Sequence, residues 1–185
     1  MDENVVLEYK VIFLNVDNVL TSYTFLMRLL FRFSYFIKKE KLFIKVFNPF
    51  RVRRSKVKLL KNIIDKTNAK VIMIDDTRFK WFNSSFEKKS KFGRELSVLL
   101  FDTNINVLGI TPYMPDVHKE DEINMWILNS GFNISNFVIL DSDDIQYPHL
   151  KEKHLVKTIS HENKVFYSYG LTKKTCEKAI EILNS

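Results

Sequence analysis

The stretch that decides the fold is KVIFLNVDNVLTS, which runs from Lys10 to Ser22. Its first half is an unbroken apolar run, Val11 to Leu14, of the kind that forms a strand covered on both faces in a parallel sheet. The run ends in Asn15 and Asp17, and open α/β sheets bind their ligands at the carboxyl ends of the strands. The stretch therefore predicts a buried parallel strand with an amide and a carboxylate at the working edge of the sheet.

The rest of the chain alternates short apolar runs with amphipathic segments. Strands are predicted at residues 70–74, 107–110 and 137–140 and within 154–159. Helices with apolar residues at helical spacing are predicted after Pro49, over 94–100 and 120–129, and after Thr172, which is expected to cap the last helix. Strands and helices that take turns along a chain indicate the α/β class, with a parallel sheet covered by helices on both faces.

Length and composition predict one folded domain over residues 1–185. The chain is 45% hydrophobic and 28% charged, as is typical of globular proteins. It has one cysteine, which excludes an intramolecular disulfide and a cysteine-based zinc cluster. The acidic start lacks the pattern of a signal peptide, and no apolar stretch is long and clean enough to span a bilayer, so a cytoplasmic protein without a transmembrane segment is expected.

Positive charge is concentrated in one segment. Twelve Lys and Arg residues but only one acid, Glu40, lie between Arg28 and Lys61, whereas the whole chain carries a net charge of +7. Three interpretations stay open for this segment: a cap-like helical insertion over 21–48 with a solvated basic edge, a polyanion-binding surface, or a helix that docks on a membrane surface or a protein partner. A nucleic-acid or partner surface would use the basic residues Arg28, Arg32, Lys38, Lys39, Arg51, Arg53 and Arg54, with Phe43, Phe47 and Phe50 available for stacking.

Acidic residues follow three of the predicted strands. Asp17 follows the first, Asp75 and Asp76 follow the second, and Asp141 and Asp143 follow the run FVIL. Carboxylates that converge at one sheet edge favour a bound cation, and oxygen ligands favour Mg²⁺. The alternative is that these acids cap the N-termini of the helices that follow them.

The motifs together carry a family resemblance. VIFLNVDNVLTS resembles the first motif of the haloacid dehalogenase (HAD) superfamily, an apolar strand followed by Asp-x-Asp-Gly-x-Leu. The order of the later segments is similar to the HAD domain of the Swiss Army Knife RNA repair proteins: a helix and the strand KVIMIDDTRF, Ile110-Thr111-Pro112, Lys119 ahead of Glu122-Ile123, Trp126, the segment VILDSDD, and Gly170-Leu171-Thr172. This resemblance covers residues 10–183 and implies a three-layer Rossmann-like HAD fold with a small basic, helical insertion after the first strand.

The resemblance also implies roles for individual residues. In this family the first Asp of the motif attacks phosphorus, and the second acts as general acid and base. By position, Asn15 then stands at the nucleophile site, Asp17 is the acid and base, and Lys119 is the basic clamp. The implied phosphate-binding residues are Thr77 and Arg78, and the implied Mg²⁺ ligands are Asn15, Asp17, Asp141 and Asp143.

The chain departs from the family pattern at its centre. Asn15 has an amide where the nucleophilic carboxylate belongs, and an amide nitrogen has no lone pair available for attack. Asn18 replaces the motif's Gly, and the second motif places either Ile74 or an acid where a phosphate-binding hydroxyl belongs. Asn15 is either a natural loss or an introduced Asp-to-Asn change.

Two functions therefore stay open. The first is a non-catalytic binding or scaffold module of HAD ancestry that engages nucleic acid or a protein partner. The alternative is a Mg²⁺-dependent phosphatase that acts on nucleotide or polynucleotide phosphate ends. The alternative predicts hydrolysis of an aryl phosphate, at least after Asn15→Asp, whereas the binding module stays inert after that change.

Overall fold

The computed structural model describes residues 7–17, 19–21, 52–74, 85, 90–163 and 166–185. Within these ranges the elements are, in chain order, β1 (Glu8–Leu14), α1 (Arg54–Thr67), β2 (Lys70–Met73), α2 (Lys91–Asp102), β3 (Val107–Ile110), α3 (Lys119–Asn129), β4 (Asn133–Asp141), β5 (Leu155–Lys157), β6 (Ile159–Asn163), β7 (Phe166–Tyr169) and α4 (Lys173–Asn184).

The main sheet of the described residues contains five parallel strands in the order β3-β2-β1-β4-β5. The strand that opens the decisive motif, β1, lies at its centre. The last residue of β1, Leu14, is in register with Met73 of β2 and Leu140 of β4. The predicted parallel α/β sheet is therefore confirmed, and the ends of the first strand and the FVIL strand lie side by side.

Two apolar clusters fill the space above and below this sheet. Ile12 and Leu14 belong to the cluster that includes buried residues of α1, α2 and α4, whereas Val11 and Phe13 belong to the cluster that includes Ile123 of α3. Alternate residues of a strand point to opposite faces, so an unbroken apolar run is required when helices cover both. The resulting helix–sheet–helix arrangement is the three-layer architecture expected from the sequence.

The loop after β1 is fixed by contacts with two distant segments. The backbone N–H of Arg53 donates to Leu20 O at 2.9 Å, and that of Leu171 donates to Val19 O at 2.8 Å. Lys56 Nζ donates to Leu171 O at 2.7 Å, and burial lowers the pKa of this lysine. These bonds hold the residues that follow Asn15 against the start of α1.

Some sequence predictions need extension or correction. Strands β1 and β4 begin three and four residues earlier than their apolar runs, and the last predicted strand is limited to Leu155–Lys157. The antiparallel pair β6–β7 was not predicted. Thr172 caps α4 as expected, since its Oγ1 accepts the Thr175 N–H at 3.2 Å. The cap-like insertion predicted over 21–48 lies outside the described residues except for Thr21, which forms an antiparallel bridge with Val52.

None of the helices in the described ranges is long and apolar enough to cross a membrane.

Candidate functional site

Asn15 is the first residue beyond β1, at the carboxyl edge of the sheet. Its backbone N–H donates to Leu140 O at 3.0 Å, and the residue is buried, with 7% of its surface exposed. The side-chain Nδ2 donates to Asp141 Oδ1 at 2.8 Å. The opposite amide orientation would bring two oxygens together, so the N–H must face the carboxylate.

The other end of this amide has no hydrogen-bond partner. Among the described residues, Asn15 Oδ1 is the buried side-chain polar atom that no donor reaches. An unsatisfied buried acceptor costs about 1–3 kcal/mol of stability. A buried polar atom without a partner in a folded protein calls for an explanation other than stability. Asn15 stands where the resemblance implies the nucleophile.

Asp141 ends β4 and is completely buried. Five protein donors surround its carboxylate. Oδ1 accepts hydrogen bonds from Asn15 Nδ2 at 2.8 Å, Ser142 N at 2.6 Å and Asp143 N at 3.2 Å, and Oδ2 accepts from Tyr147 Oη at 2.6 Å and Lys119 Nζ at 3.4 Å. These donors replace the hydrogen bonds to water that burial removes from the carboxylate.

Tyr147 is a site residue that the sequence did not reveal. It is fully buried, and its hydroxyl donates to Asp141. Burial first, and then the neighbouring charge of Asp141, raise the pKa of Tyr147 far above its ordinary value, so the phenol remains a donor. The available signal was a single aromatic residue in the polar stretch after Asp141, because a buried tyrosine hydroxyl needs a polar partner.

Lys119 begins α3 and contacts Asp141 at Oδ2, whereas the backbone donors Ser142 and Asp143 bond to Oδ1. Its ammonium group lies 3.4 Å from Asp141 Oδ2, and its side chain is 23% exposed. Gln146 positions this helix start, because its Oε1 accepts the Lys119 N–H at 3.4 Å and its carbonyl accepts the Glu120 N–H at 3.2 Å. Lys119 thus lies beside Asp141, where the resemblance implies a basic clamp.

Two buried carboxylates in the first turn of α3 hold the surrounding loops. Glu120 Oε2 accepts the backbone N–H groups of His149 and Leu150 at 2.9 and 3.1 Å, and Oε1 lies 2.9 Å from His149 Nδ1. Burial raises the pKa of Glu120, but these hydrogen bonds outweigh it and hold the pKa below its ordinary value. Glu122 Oε1 accepts the Met114 N–H at 3.0 Å. The sequence shows Glu120 and Glu122 at the start of a predicted helix, but it does not show which loop residues they bind.

The structure brings three of the predicted site residues into contact: Asn15, Lys119 and Asp141. Asp17 and Asp143 are half-buried at the same edge, and Asp143 Oδ1 accepts the Ile145 N–H at 3.0 Å. Ile74 is completely buried, and its backbone N–H donates to Leu14 O at 3.0 Å. The predicted phosphate-binding residues Thr77 and Arg78 lie outside the described residues.

Most of the predicted basic surface also lies outside the described residues: Arg28, Arg32, Lys38, Lys39 and Arg51. Arg53 is the N-cap residue of α1 and is half-buried. Arg54 is exposed, and its guanidinium lies 3.9 Å from the carboxylate of Asp102. A long ion pair between two exposed side chains contributes little stability and leaves the arginine available to another anion.

The donor set around Asp141 does not fit a Mg²⁺ ion held between Asn15 and Asp141. Metal ligation needs carboxylate lone pairs, and five protein donors already engage the two oxygens of Asp141. Asn15 presents an N–H group, not an oxygen, to this carboxylate. Across the ranges that the structure describes, no group of three or more His, Cys, Asp and Glu side chains is arranged to hold a metal ion.

Comparison with known proteins identifies the family. The family model for the HAD domain in Swiss Army Knife RNA repair proteins matches residues 11–165, which is most of the chain. No curated protein and no solved structure matches the chain. HAD domains have hydrolase and phosphatase ancestry and generally use Mg²⁺. The chain therefore belongs to the HAD domains of Swiss Army Knife RNA repair proteins.

Proposed function

We propose that this chain is a HAD domain without phosphatase chemistry that binds nucleic acid in an RNA repair setting, in the cytoplasm. The observation that supports the proposal is the amide of Asn15, which donates to Asp141 at 2.8 Å and which, by the family resemblance, stands at the nucleophile position. An amide nitrogen cannot attack phosphorus, so no aspartyl-phosphate forms by the family's covalent route. Asp17, as the ancestral acid and base, and Lys119, as the ancestral clamp, then have no intermediate to serve.

Nucleic acid is the proposed partner because of the charge of residues 28–61. This basic segment includes the first two turns of α1, on which Arg54 and Lys58 are exposed and lie four residues apart, hence on one face of the helix. Basic side chains that follow one another along a surface bind phosphates without reading sequence. The family's link to RNA repair favours RNA as the polyanion. Thr77 and Arg78 are proposed as additional phosphate-binding residues, and residues 21–48 as a cap-like insertion within a single domain.

Binding of a labelled single-stranded RNA over a series of salt concentrations tests this proposal. We expect the double variant Arg54→Gln/Lys58→Gln to bind more weakly and to show a shallower salt dependence, by roughly 0.7 in the logarithmic slope for each phosphate that the variant no longer neutralises. The matched control is Lys174→Gln/Lys178→Gln, which removes two exposed charges at the same spacing from α4.

Equal affinities and slopes for the wild-type chain and both variants would exclude α1 from the binding surface. Absence of salt-dependent RNA binding would reject nucleic acid as the partner and leave a protein partner or a membrane surface for the basic segment.

A Mg²⁺-dependent phosphatase is the second candidate, and the observation that favours it is the location of Lys119 beside the end of β4, where the resemblance implies a basic clamp. If Asn15 replaces a functional aspartate, Asn15→Asp should restore hydrolysis of an aryl phosphate. The binding module predicts no hydrolysis by this variant, because Ile74 or an acid still occupies the place of the phosphate-binding hydroxyl.

A further inference from the structure

We infer that the hydrogen bond from Asn15 to Asp141 replaces the metal ion of the family, so that the ends of β1 and β4 are held together without a cation. The inference rests on the proposed loss of phosphatase chemistry. It adds that a hydrogen bond now links the ends of β1 and β4, which therefore need no metal ion. Three features of the described residues carry it: the spacing of the two side chains, the donors around Asp141 and the charge balance.

The spacing is that of two ligands on one ion. Octahedral Mg²⁺ holds oxygens at about 2.1 Å, so two neighbouring ligands lie about 3 Å apart. Asn15 Nδ2 and Asp141 Oδ1 are separated by 2.8 Å, on strands that are direct neighbours. The backbone thus brings the two side chains as close as a shared ion would, but a hydrogen bond spans the gap.

Protein donors also engage the second carboxylate oxygen of Asp141, Oδ2. Tyr147 donates a 2.6 Å hydrogen bond to Oδ2, and Lys119 lies 3.4 Å from the same atom. The Lys119 ammonium supplies one positive charge against the one negative charge of Asp141. With Asn15 neutral, Lys119 and Asp141 balance each other without a cation between Asn15 and Asp141.

An aspartate at position 15 would reverse this balance. Asn15→Asp would place two carboxylates about 3 Å apart in a buried site, where like charges strongly disfavour each other. The variant should then need a cation to hold its two strand ends together. The wild-type chain should not.

Thermal unfolding of the full chain in Mg²⁺ and in EDTA tests the inference. We expect the same Tm for the wild-type protein in both conditions. Asn15→Asp should unfold at a lower temperature in EDTA and recover with a saturable dependence on Mg²⁺. Asn106→Asp is the matched control, because it makes the same charge change at an exposed position and should show no Mg²⁺-dependent recovery.

Two results would overturn the inference: a saturable Mg²⁺ stabilisation of the wild-type protein that Asn15→Ala abolishes, or an Asn15→Asp variant as stable as wild type in EDTA and insensitive to Mg²⁺. If Asn15→Asp does not fold, the comparison of wild type with Asn15→Ala decides, since both should be insensitive to Mg²⁺. RNA binding is measured in a separate assay. If binding is weak but the wild-type Tm does not depend on Mg²⁺, only the proposed nucleic-acid partner is rejected. Hydrolysis by the wild-type chain would reject the proposed loss of catalysis even if the Tm ignores Mg²⁺.

Discussion

Asparagine and aspartate have nearly the same shape, and this similarity explains how position 15 can change chemistry without changing the fold. The amide fits the space at the end of β1 and gains a hydrogen bond to Asp141. Its Oδ1, where an aspartate would carry charge, is left buried without a partner. On the proposed account, asparagine in place of aspartate removes the nucleophile, while its hydrogen bond to Asp141 links the ends of the two central strands.

Glu120 gives a prediction at the same scale. Glu120→Gln should lower the free energy of unfolding at neutral pH by about 1–3 kcal/mol, because a neutral amide accepts the His149 and Leu150 N–H groups less strongly and one of its ends is a donor. The folded-state pKa of Glu120 is lowered, so its ionised form stabilises the fold above the unfolded value of about 4.3. That contribution is lost as the pH falls through the folded-state pKa.

Urea unfolding of wild type and Glu120→Gln at neutral and acidic pH measures the effect. The difference between them should shrink as the pH falls below the ordinary range of a glutamate. Glu152→Gln, at an exposed position, should match wild type at both pH values. A difference that stays constant with pH would show that the charge of Glu120 is not what holds the His149 loop.

At the scale of elements, the three central strands β2, β1 and β4 were predictable because each contains a short apolar run that is buried on both faces. The same runs led to the correct neighbours at the site, since Asn15 and Asp141 each follow one of them directly. The pair β6–β7 was missed because ISHEN and FYSY have no such run. Tyr147 was missed because its partner depends on the path of the loop between β4 and β5, which no periodicity specifies.

Gly170 tests how closely the segments around the first loop are packed. Its φ is +106°, and a Cβ at this position would lie 2.6 Å from the backbone oxygen of Thr21. Gly170→Ala should lower the free energy of unfolding by more than about 1 kcal/mol, since backbone strain and a backbone clash outweigh the stabilisation that an unstrained exchange of glycine for alanine gives.

Gly131→Ala is the control, because Gly131 also has a positive φ, +68°, but nothing lies within 4 Å of the added methyl group. Chemical denaturation should rank wild type above Gly131→Ala and Gly131→Ala above Gly170→Ala. If both variants lose the same free energy of unfolding, the added methyl group at position 170 does not clash with the backbone of the loop after β1.

At the scale of the whole molecule, the polar groups of the site lie at the carboxyl edge of the sheet, whereas the net positive charge of the chain is concentrated in residues 28–61. The central strands bring Asn15 and Asp141 together, and Lys119 comes from α3, which covers the face of the sheet opposite α1, α2 and α4. The apolar runs predicted that Asn15 and Asp141 would be neighbours, and the family resemblance implied Lys119 beside them. The sequence did not predict that protein donors would saturate Asp141, because three of those donors, Ser142, Asp143 and Tyr147, come from the loop after β4, whose conformation is set only by the complete fold.

The central claim is that Asn15 leaves this HAD domain without phosphatase activity. The most direct measurement is hydrolysis of an aryl phosphate by the purified wild-type chain with Mg²⁺ present, compared with buffer alone and with Asp17→Asn. We predict that both proteins release phosphate no faster than buffer. Turnover by the wild-type chain that Asp17→Asn removes would contradict the claim.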